Sequence, residues 1–406
     1  MANPHRSQAM PAWIVYYSSN NWGLKYVRDL KFGDLPKRCY IFLSVKSYPE
    51  KEADRVLILA HFNAPPVLAS KMCTEINGYF GSRSSYNEND KLKSYSTWMR
   101  CLVKMILKEP AENGKDYKWY EMTLLSHWDE LAGTHQILCI DTPEDFPEKL
   151  MKALSQPSSS QETQKHFMDP FSMHAQLLDQ VVKLNDESVW AVRDPIREIE
   201  KRRPTAGPDF ESMHEISRHT IHISEVLLVT IQNFESLREQ QRYVHNESLY
   251  SEKGKMLLGK EYREQALEYL NFQIQMLKSL RERSVSNHSR LSSEVVVAYN
   301  RIAQQDNRAV SSIAFLTMTF LPAAFISSFF STTFFSFGQD GLQVSNQMWL
   351  YWAVTIPSTL IIMIVWRLCL HTKAPLTYRN IKDFAKSRLK QKQNQKQEQL
   401  TEKAVV

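Results

Sequence analysis

The chain has 406 residues, 43% of them hydrophobic and 23% charged, with 11 glycines, which excludes a disordered, collagen-like or disulfide-rich protein and fits one large or two to three modest domains. Its five cysteines, Cys39, Cys73, Cys101, Cys139 and Cys369, are far apart with no C-x-x-C, which argues against a zinc ribbon, a thioredoxin-type motif and a secreted disulfide framework and for a reducing compartment. The formal charge of +6 lies in the tail: Arg367–Val406 holds ten basic and three acidic residues, the rest 40 basic and 41 acidic, so no nucleic-acid partner is expected.

In chain order, residues 1–155 read as a cytosolic α/β domain. Apolar, β-branched and aromatic runs at Trp13–Tyr17, Cys39–Val45, Arg55–Phe62, Tyr117–Leu125 and Gln136–Asp141, with turn signals between them, predict strands. Ser96–Leu107 and Glu144–Leu154 predict helices, the second after an acidic start. The first ten residues, MANPHRSQAM, lack the apolar core of a signal peptide.

Residues 156–251 read as a linker and cytosolic helices. Gln156–Gln164 is Ser/Gln-rich. Phe171–Leu184 and Glu187–Arg202 are amphipathic, with Asp194-Pro195 read as a kink or a boundary between them. Arg203–Asp209 (RPTAGPD) is a break, and Glu211–Val244 shows a helical period at Leu227, Ile231, Phe234 and Leu237.

A long helix is predicted over 252–333: there is no proline except Pro322 and no glycine after Gly259. Apolar or small residues recur in steps of three and four from Leu258 and Tyr262 to Ala309 and Ile313, with a polar weak point at Ser284–Ser289 (SVSNHS). At 1.5 Å per residue such a helix would run ~120 Å, and its seam must pack on other helices or on copies of itself. Periodicity leaves two readings open: a stalk repeated around a pore, or a long helix in a monomer.

Two membrane spans fit near the C-terminus. Ala309–Gln339 gives 31 residues without a charge and Gly341–Trp366 gives 26 more, interrupted by Asp340. The expected order is a stalk helix over 252–308, a first span over 309–335, an outer loop over 336–347, a second span over 348–370 and a basic tail over 371–406. Arg301 and Arg308 precede the first span, and Arg367, Lys373, Arg379, Lys382 and Lys386 follow the second. The positive-inside rule then puts both termini in the cytosol. Trp349, Tyr351, Trp352 and Trp366 read as interfacial anchors or ordinary lipid-facing bulk. The tail reads as a solvated cytosolic end, and the N-x-S sequences at Asn246 and Asn287 fall on the cytosolic side.

This order of elements resembles the CorA-type metal-ion transporters. Tyr299–Arg308 (YNRIAQQDNR) followed by Ile313–Phe335 (IAFLTMTFLPAAFISSFFSTTFF) resembles the fungal-type CorA-like membrane proteins in particular, with Leu321-Pro322 and Phe325-Ile326 where the family has Met-Pro and Phe-Ile. The resemblance implies an α+β fold with an N-terminal α/β cytosolic domain, a long helical stalk and two C-terminal transmembrane helices. It implies a homo-oligomer, expected to be a pentamer, in the plasma membrane rather than an organelle. The family's Gly-Met-Asn signature is replaced here by Ser331-Thr332-Thr333 at the expected pore mouth. Carried over position by position, the pore lining would be Asn307, Val310, Ile313, Thr317, Leu321, Ala324, Ser328, Ser331 and Thr332. Val310, Ile313 and Leu321 would form apolar rings and the hydroxyls would offer water-like oxygens. Small and hydroxyl residues also mark close helix packing, and Ser327 and Ser328 fit both roles. Asp340 is the one acid available in the outer loop.

No Asp, Glu or His lies within either span, which argues against a proton-relay pump and for passive flow. His214-Glu215-x-x-Arg218-His219, with His222, is not H-E-x-x-H, because the second His is five on, so no metal site is expected there. Asp141–Glu148 (DTPEDFPE) reads as a solvated helix N-terminus, with sensing of divalent ions, as in the family's cytosolic domain, as the lesser reading. No nucleotide-binding or nucleophile motif is present, so no enzyme is expected. The expected function is passage of hydrated divalent cations, Mg²⁺ first, down their gradient, with no cofactor. The alternatives are a non-conducting scaffold whose cytosolic domain binds a partner, and a transporter of zinc or another metal.

Overall fold

A computed structural model describes residues 9–107, 109–110, 114–155, 167–202, 208–247, 258–330, 335–338 and 341–368. They divide into two compact units, one up to Ala298 and one from Tyr299.

The first unit is built on seven strands: β1 (Ala12–Ser18), β2 (Asn21–Val27), β3 (Arg38–Leu43), β4 (Gly78–Tyr86), β5 (Leu92–Ile106), β6 (Tyr117–Asp129) and β7 (Thr134–Ile140). Their order is β2-β1-β3-β7-β6-β5-β4. All neighbours are antiparallel except β3 and β7, which are parallel. The β1–β2 hairpin turns through Ser19 and Asn20, both at positive φ, as a tight two-residue turn matched to strand twist requires. Side chains alternate faces along each strand. Tyr40, Phe42, Ile137 and Cys139 belong to one buried cluster, and Cys39, Ile41, Leu43, Leu138 and Ile140 to the other.

The second of these faces is covered by α1 (Glu52–His61) through Ile58 and Leu59, with the short α2 (Lys71–Glu75) nearby. Arg55–Phe62 is therefore helix and not the strand predicted for it. The run lacks alternation, and Glu52 and Asp54 supply the acidic first turn that favours a helix. The opposite face carries α3 (Phe146–Leu154), α4 (His174–Arg202), α5 (Phe210–Glu247) and the first part of α6 (Lys260–Phe330).

Ser96–Leu107, predicted as helix, lies almost wholly in β5. This 15-residue strand is buried along nearly its whole length on both faces: Tyr95, Met99, Cys101 and Val103 alternate with Ser96, Arg100 and Lys104, and the apolar Trp98 and Leu102 on the polar side blur that alternation. Two basic residues are also buried in it. The Arg100 guanidinium donates to the carbonyls of Thr74, Ile76 and Glu121 and pairs with the Glu121 carboxylate. Gly78 sits opposite: a Cβ there would lie 2.5 Å from the Arg100 carbonyl oxygen and 2.6 Å from Val229 Cγ1, so only glycine lets α5 approach β4. Asn233 of α5 donates to the same Arg100 carbonyl at 2.7 Å.

α4 is helical through Pro195, so no helix boundary falls at Asp194-Pro195. α6 has 71 residues and begins at Lys260: Leu258 and Gly259, expected in the helix, precede it, and 252–257 and 331–333 lie outside the described residues. Its early part is held by a buried carboxylate. Asp169, wholly buried, accepts from Tyr262 Oη at 2.8 Å, faces His245 Nε2 at 3.0 Å and accepts from the Phe171 amide at 3.0 Å. Burial alone would raise this carboxyl, but His245 and the hydrogen bonds outweigh it and the net shift is downward. Asp169 thus joins the start of α6 to the end of α5. Replacing Asp169 by Ala should cost about 3–5 kcal/mol, the usual cost of breaking a buried pair, whereas Tyr262→Phe should cost about 1 kcal/mol. Denaturant unfolding of the full chain in detergent checks this, and equal effects of the two changes would contradict it.

Candidate functional site

The second unit contains the end of α6, the short strands β8 (Phe335–Gly338) and β9 (Gly341–Val344), which pair antiparallel, and α7 (Met348–Leu368). α6 and α7 are each long and apolar enough to cross a membrane, and only 6% of each apolar stretch is buried in this chain. Helices of a soluble core would be buried on most of such a stretch.

One face of α6 is taken up by α7. Tyr351 donates to the Ala323 carbonyl at 3.4 Å and accepts from Ser327 Oγ at 3.3 Å. Phe315 and Trp366 stack with ring centroids 5.8 Å apart. Leu321, Pro322, Ala324, Phe325 and Ile326 line an apolar groove of about 610 Å³ with Val354, Ser358 and Ile362. Of the expected anchors, Tyr351 and Trp366 are therefore helix-packing residues, and Trp349 and Trp352 are exposed.

Of the residues expected to line a passage, Leu321 and Ala324 border this groove and the other described ones do not. At ~100° per residue, Asn307, Val310, Ile313, Thr317, Leu321, Ala324 and Ser328 all fall within about 60° of the direction of Val310. Phe315, Pro322 and Ile326 point about 120–160° away on the same count. All seven are exposed, Val310, Ile313 and Leu321 by 63%, 65% and 64%. The face combines an amide, three large apolar side chains, a small residue and two hydroxyls. Thr317 Oγ1 donates to the Ile313 carbonyl at 2.9 Å, which commits its one proton. What it presents outward is an acceptor. Ser331, Thr332, Thr333 and Asp340 lie outside the described residues.

Sequence reasoning missed Asp306. It is exposed, stands four residues before Val310 and so shares this face, and is the one acid between Tyr299 and Phe330. The signal was the spacing: three-residue steps lead back to Asn307, and the four-residue step leads to Asp306.

Other polar clusters are spent on structure. A cavity of about 450 Å³ in the first unit is lined by Trp22, Tyr40, Phe167, Tyr269 and Gln273 among others, with Asp169 at its wall. Tyr269 and Gln273 there donate to the Asp179 carboxylate. His174 donates to or accepts from Thr97 at 3.1 Å and is pushed down to about 4 by burial, so it is neutral at pH 7. In the acidic run Asp141–Glu148, Asp141 accepts from the Glu121 amide and Asp145 pairs with Lys149. Among the described residues no group of three or more His, Cys, Asp or Glu is placed to hold a metal ion.

Residues 133–368 match the family described as CorA-like Mg2+ transporter protein, more than half of the chain. The chain belongs to this CorA-like family. Notoamide biosynthesis cluster protein M' of Aspergillus versicolor is 26% identical over 280 residues, 62% of this chain and 59% of that protein. The matched part thus spans less than two thirds of that relative's length. Two solved structures share the fold. The full-length CmaX protein matches 89% of this chain and 99% of its own at 13% identity and a TM-score of 0.56. The CorA magnesium transporter from Methanocaldococcus jannaschii matches 88% and 97% at 14% identity and a TM-score of 0.51. The chain is an integral membrane protein of the CorA-like metal-transporter family, with the expected α+β fold.

The two faces of α6 predict opposite behaviour toward a charged, water-soluble thiol reagent. Introduced cysteines at Val310 and Thr317 should react in lipid nanodiscs, and one at Pro322 should not. Equal reactivity at all three, measured by mass spectrometry, would contradict the assignment of faces.

Proposed function

We propose that this chain forms a homo-oligomer, a pentamer by analogy with the family resemblance, through which hydrated divalent cations pass, Mg²⁺ first. The observation that carries this reading is the exposed stripe of α6 at Asn307, Val310, Ile313, Thr317 and Ser328, none of which lines the groove against α7. Repeated around an axis, it makes rings. Asn307 offers an amide, and Thr317 and Ser328 offer oxygens that replace part of the water around an ion. Mg²⁺ gives up its shell reluctantly, so contacts through water suit it. Val310, Ile313 and Leu321 form apolar constrictions that close by dewetting. Asp306 adds a carboxylate ring at one end, which concentrates cations there. In the sequence, Ser331-Thr332-Thr333 offers hydroxyls in place of the family's amide at the signature position.

No step needs ATP or a proton. For a doubly charged ion the membrane potential supplies about 4.6 kcal/mol per 100 mV. On this reading both termini lie in the cytosol and the membrane is the plasma membrane.

The purified chain in liposomes should admit Mg²⁺ when an inside-negative potential is imposed, read with a trapped indicator. Asp306→Asn should lower the initial rate several-fold at low ionic strength and less at high salt, because the ring acts through a screened field. Leu321→Ser should raise the resting leak. No Mg²⁺ flux from correctly inserted protein would leave the scaffold reading, and flux of Zn²⁺ alone would replace Mg²⁺ with zinc.

A further inference from the structure

The His219–His222 stretch of α5, which carries no metal reading, faces a buried lysine. Lys104 of β5 is 1% exposed, and its ammonium lies 3.0 Å from His222 Nδ1. The rings of Tyr117 and Trp119 flank it at 4.2 Å and 5.2 Å. His219 is buried beside it, packed on Tyr117 with ring centroids 5.4 Å apart. Neither ring nitrogen of His219 has a hydrogen-bond partner, and the nearest carboxylate, Asp116, is 3.6 Å from its Nε2.

Between these two histidines lies Thr220, which is tied to α6. Its backbone carbonyl accepts from Ser284 Oγ at 3.2 Å, and its hydroxyl lies 3.1 Å from His288 Nδ1. That hydroxyl already donates to the Ser217 carbonyl at 2.7 Å, so His288 must be the donor to it. One turn of α5 therefore touches the sheet through its histidines and α6 through Thr220. The contact on α6 falls on its polar stretch SVSNHS, where Ser284 and Asn287 are buried.

We propose that this turn is a proton-sensitive coupling: protonation of His222 and His219 detaches α5 from Lys104 and loosens the hold of Thr220 on α6. The chemistry is a matter of donors. A protonated Lys104 donates to the free lone pair of neutral His222. Once His222 takes a proton on Nδ1, two cations face each other with no acceptor between them. The groups around the pair are known. Lys104 comes from β5, and Lys115, Asp116, Tyr117 and Trp119 lie at the start of β6. α5 itself adds Glu215, Arg218 and Glu225, and α6 adds His288. Glu215 pairs with Arg218 at 2.7 Å, and Glu225 accepts from Asn77, so both acids are engaged elsewhere. α4 contributes the Ser188 hydroxyl, which donates to the Lys104 carbonyl. Burial first, then Lys104, pushes both histidines below their usual range, and burial lowers Lys104 to about 8, so it is charged at pH 7. The sign follows. A depressed histidine stabilises the folded contact above its unfolded pKa of ~6.5, and that contribution is lost as pH falls from there toward the folded value.

The coupling is independent of conduction, and its bearing on ion flow rests on the reading proposed above. Hydrogen–deuterium exchange on the full chain in nanodiscs tests it, comparing about pH 7.5 with about pH 5.5, the range of histidine titration, after correction for intrinsic exchange. Protection in 217–223 and 284–290 should drop about tenfold for each unit of pH below the onset. His222→Gln with His219→Gln keeps an acceptor without a titrating group and should abolish the drop. Lys104→Met removes the repelling charge and should lessen it, leaving the part that burial of the histidines causes. An unchanged drop in both variants, or no drop in the parent chain, would overturn the proposal. Because no ion flux is read, failure here says nothing against transport.

Discussion

A transmembrane helix can bury one stripe against one neighbour, and everything proposed for this chain depends on what the rest of α6 meets. Its stripe through Phe315, Pro322 and Ile326 is taken by α7. The opposite stripe, from Asn307 to Ser328, mixes large apolar side chains with an amide and hydroxyls. Lipid gives such polar groups nothing to bond with, and in apolar surroundings each needs a partner. Thr317 meets part of that need by donating to Ile313, yet its lone pairs still point outward. In the proposed assembly, water held between copies of the helix meets the remainder of that need.

The first unit fixes the early part of α6. Three unrelated devices converge on it. Asp169 ties Tyr262 to His245 in a site wholly out of water. Gln273 reaches the Ala175 carbonyl and the Asp179 carboxylate of α4. Ser284 and His288 hold Thr220 of α5. Leu270, Ile274, Leu277 and Leu291 add an apolar seam between them. Buried polar bonds are directional in a way that apolar contact is not, so this combination sets register as well as adhesion.

Much of this was readable beforehand, and the failures have physical causes. The charge-free runs, the helical steps of α5 and α6 and the family resemblance led to the correct fold class. β1, β3, β6 and β7 carried enough alternation or β-branched character to be recognised. α1 and β5 were exchanged in kind, because an apolar run whose period is lost or blurred looks alike in both. That second error hid the lysine: with Ser96–Leu107 taken as a helix, nothing placed Lys104 beside a histidine 118 positions later in the chain. Likewise, His219 and His222 failed as a metal motif by spacing, and their true neighbour was a cation. Pro195 suggested a kink or a boundary, and tertiary packing of α4 overrides the second.

The central claim is that copies of this chain meet along the face of α6 that includes Ala324. Pulsed electron spin resonance on the full chain in nanodiscs, with one spin label at Ala324→Cys, addresses it directly. The account predicts a small set of sharp distances between copies, in the ratio of a closed ring. A lone label with no partner in range would contradict it and leave a tethered monomer.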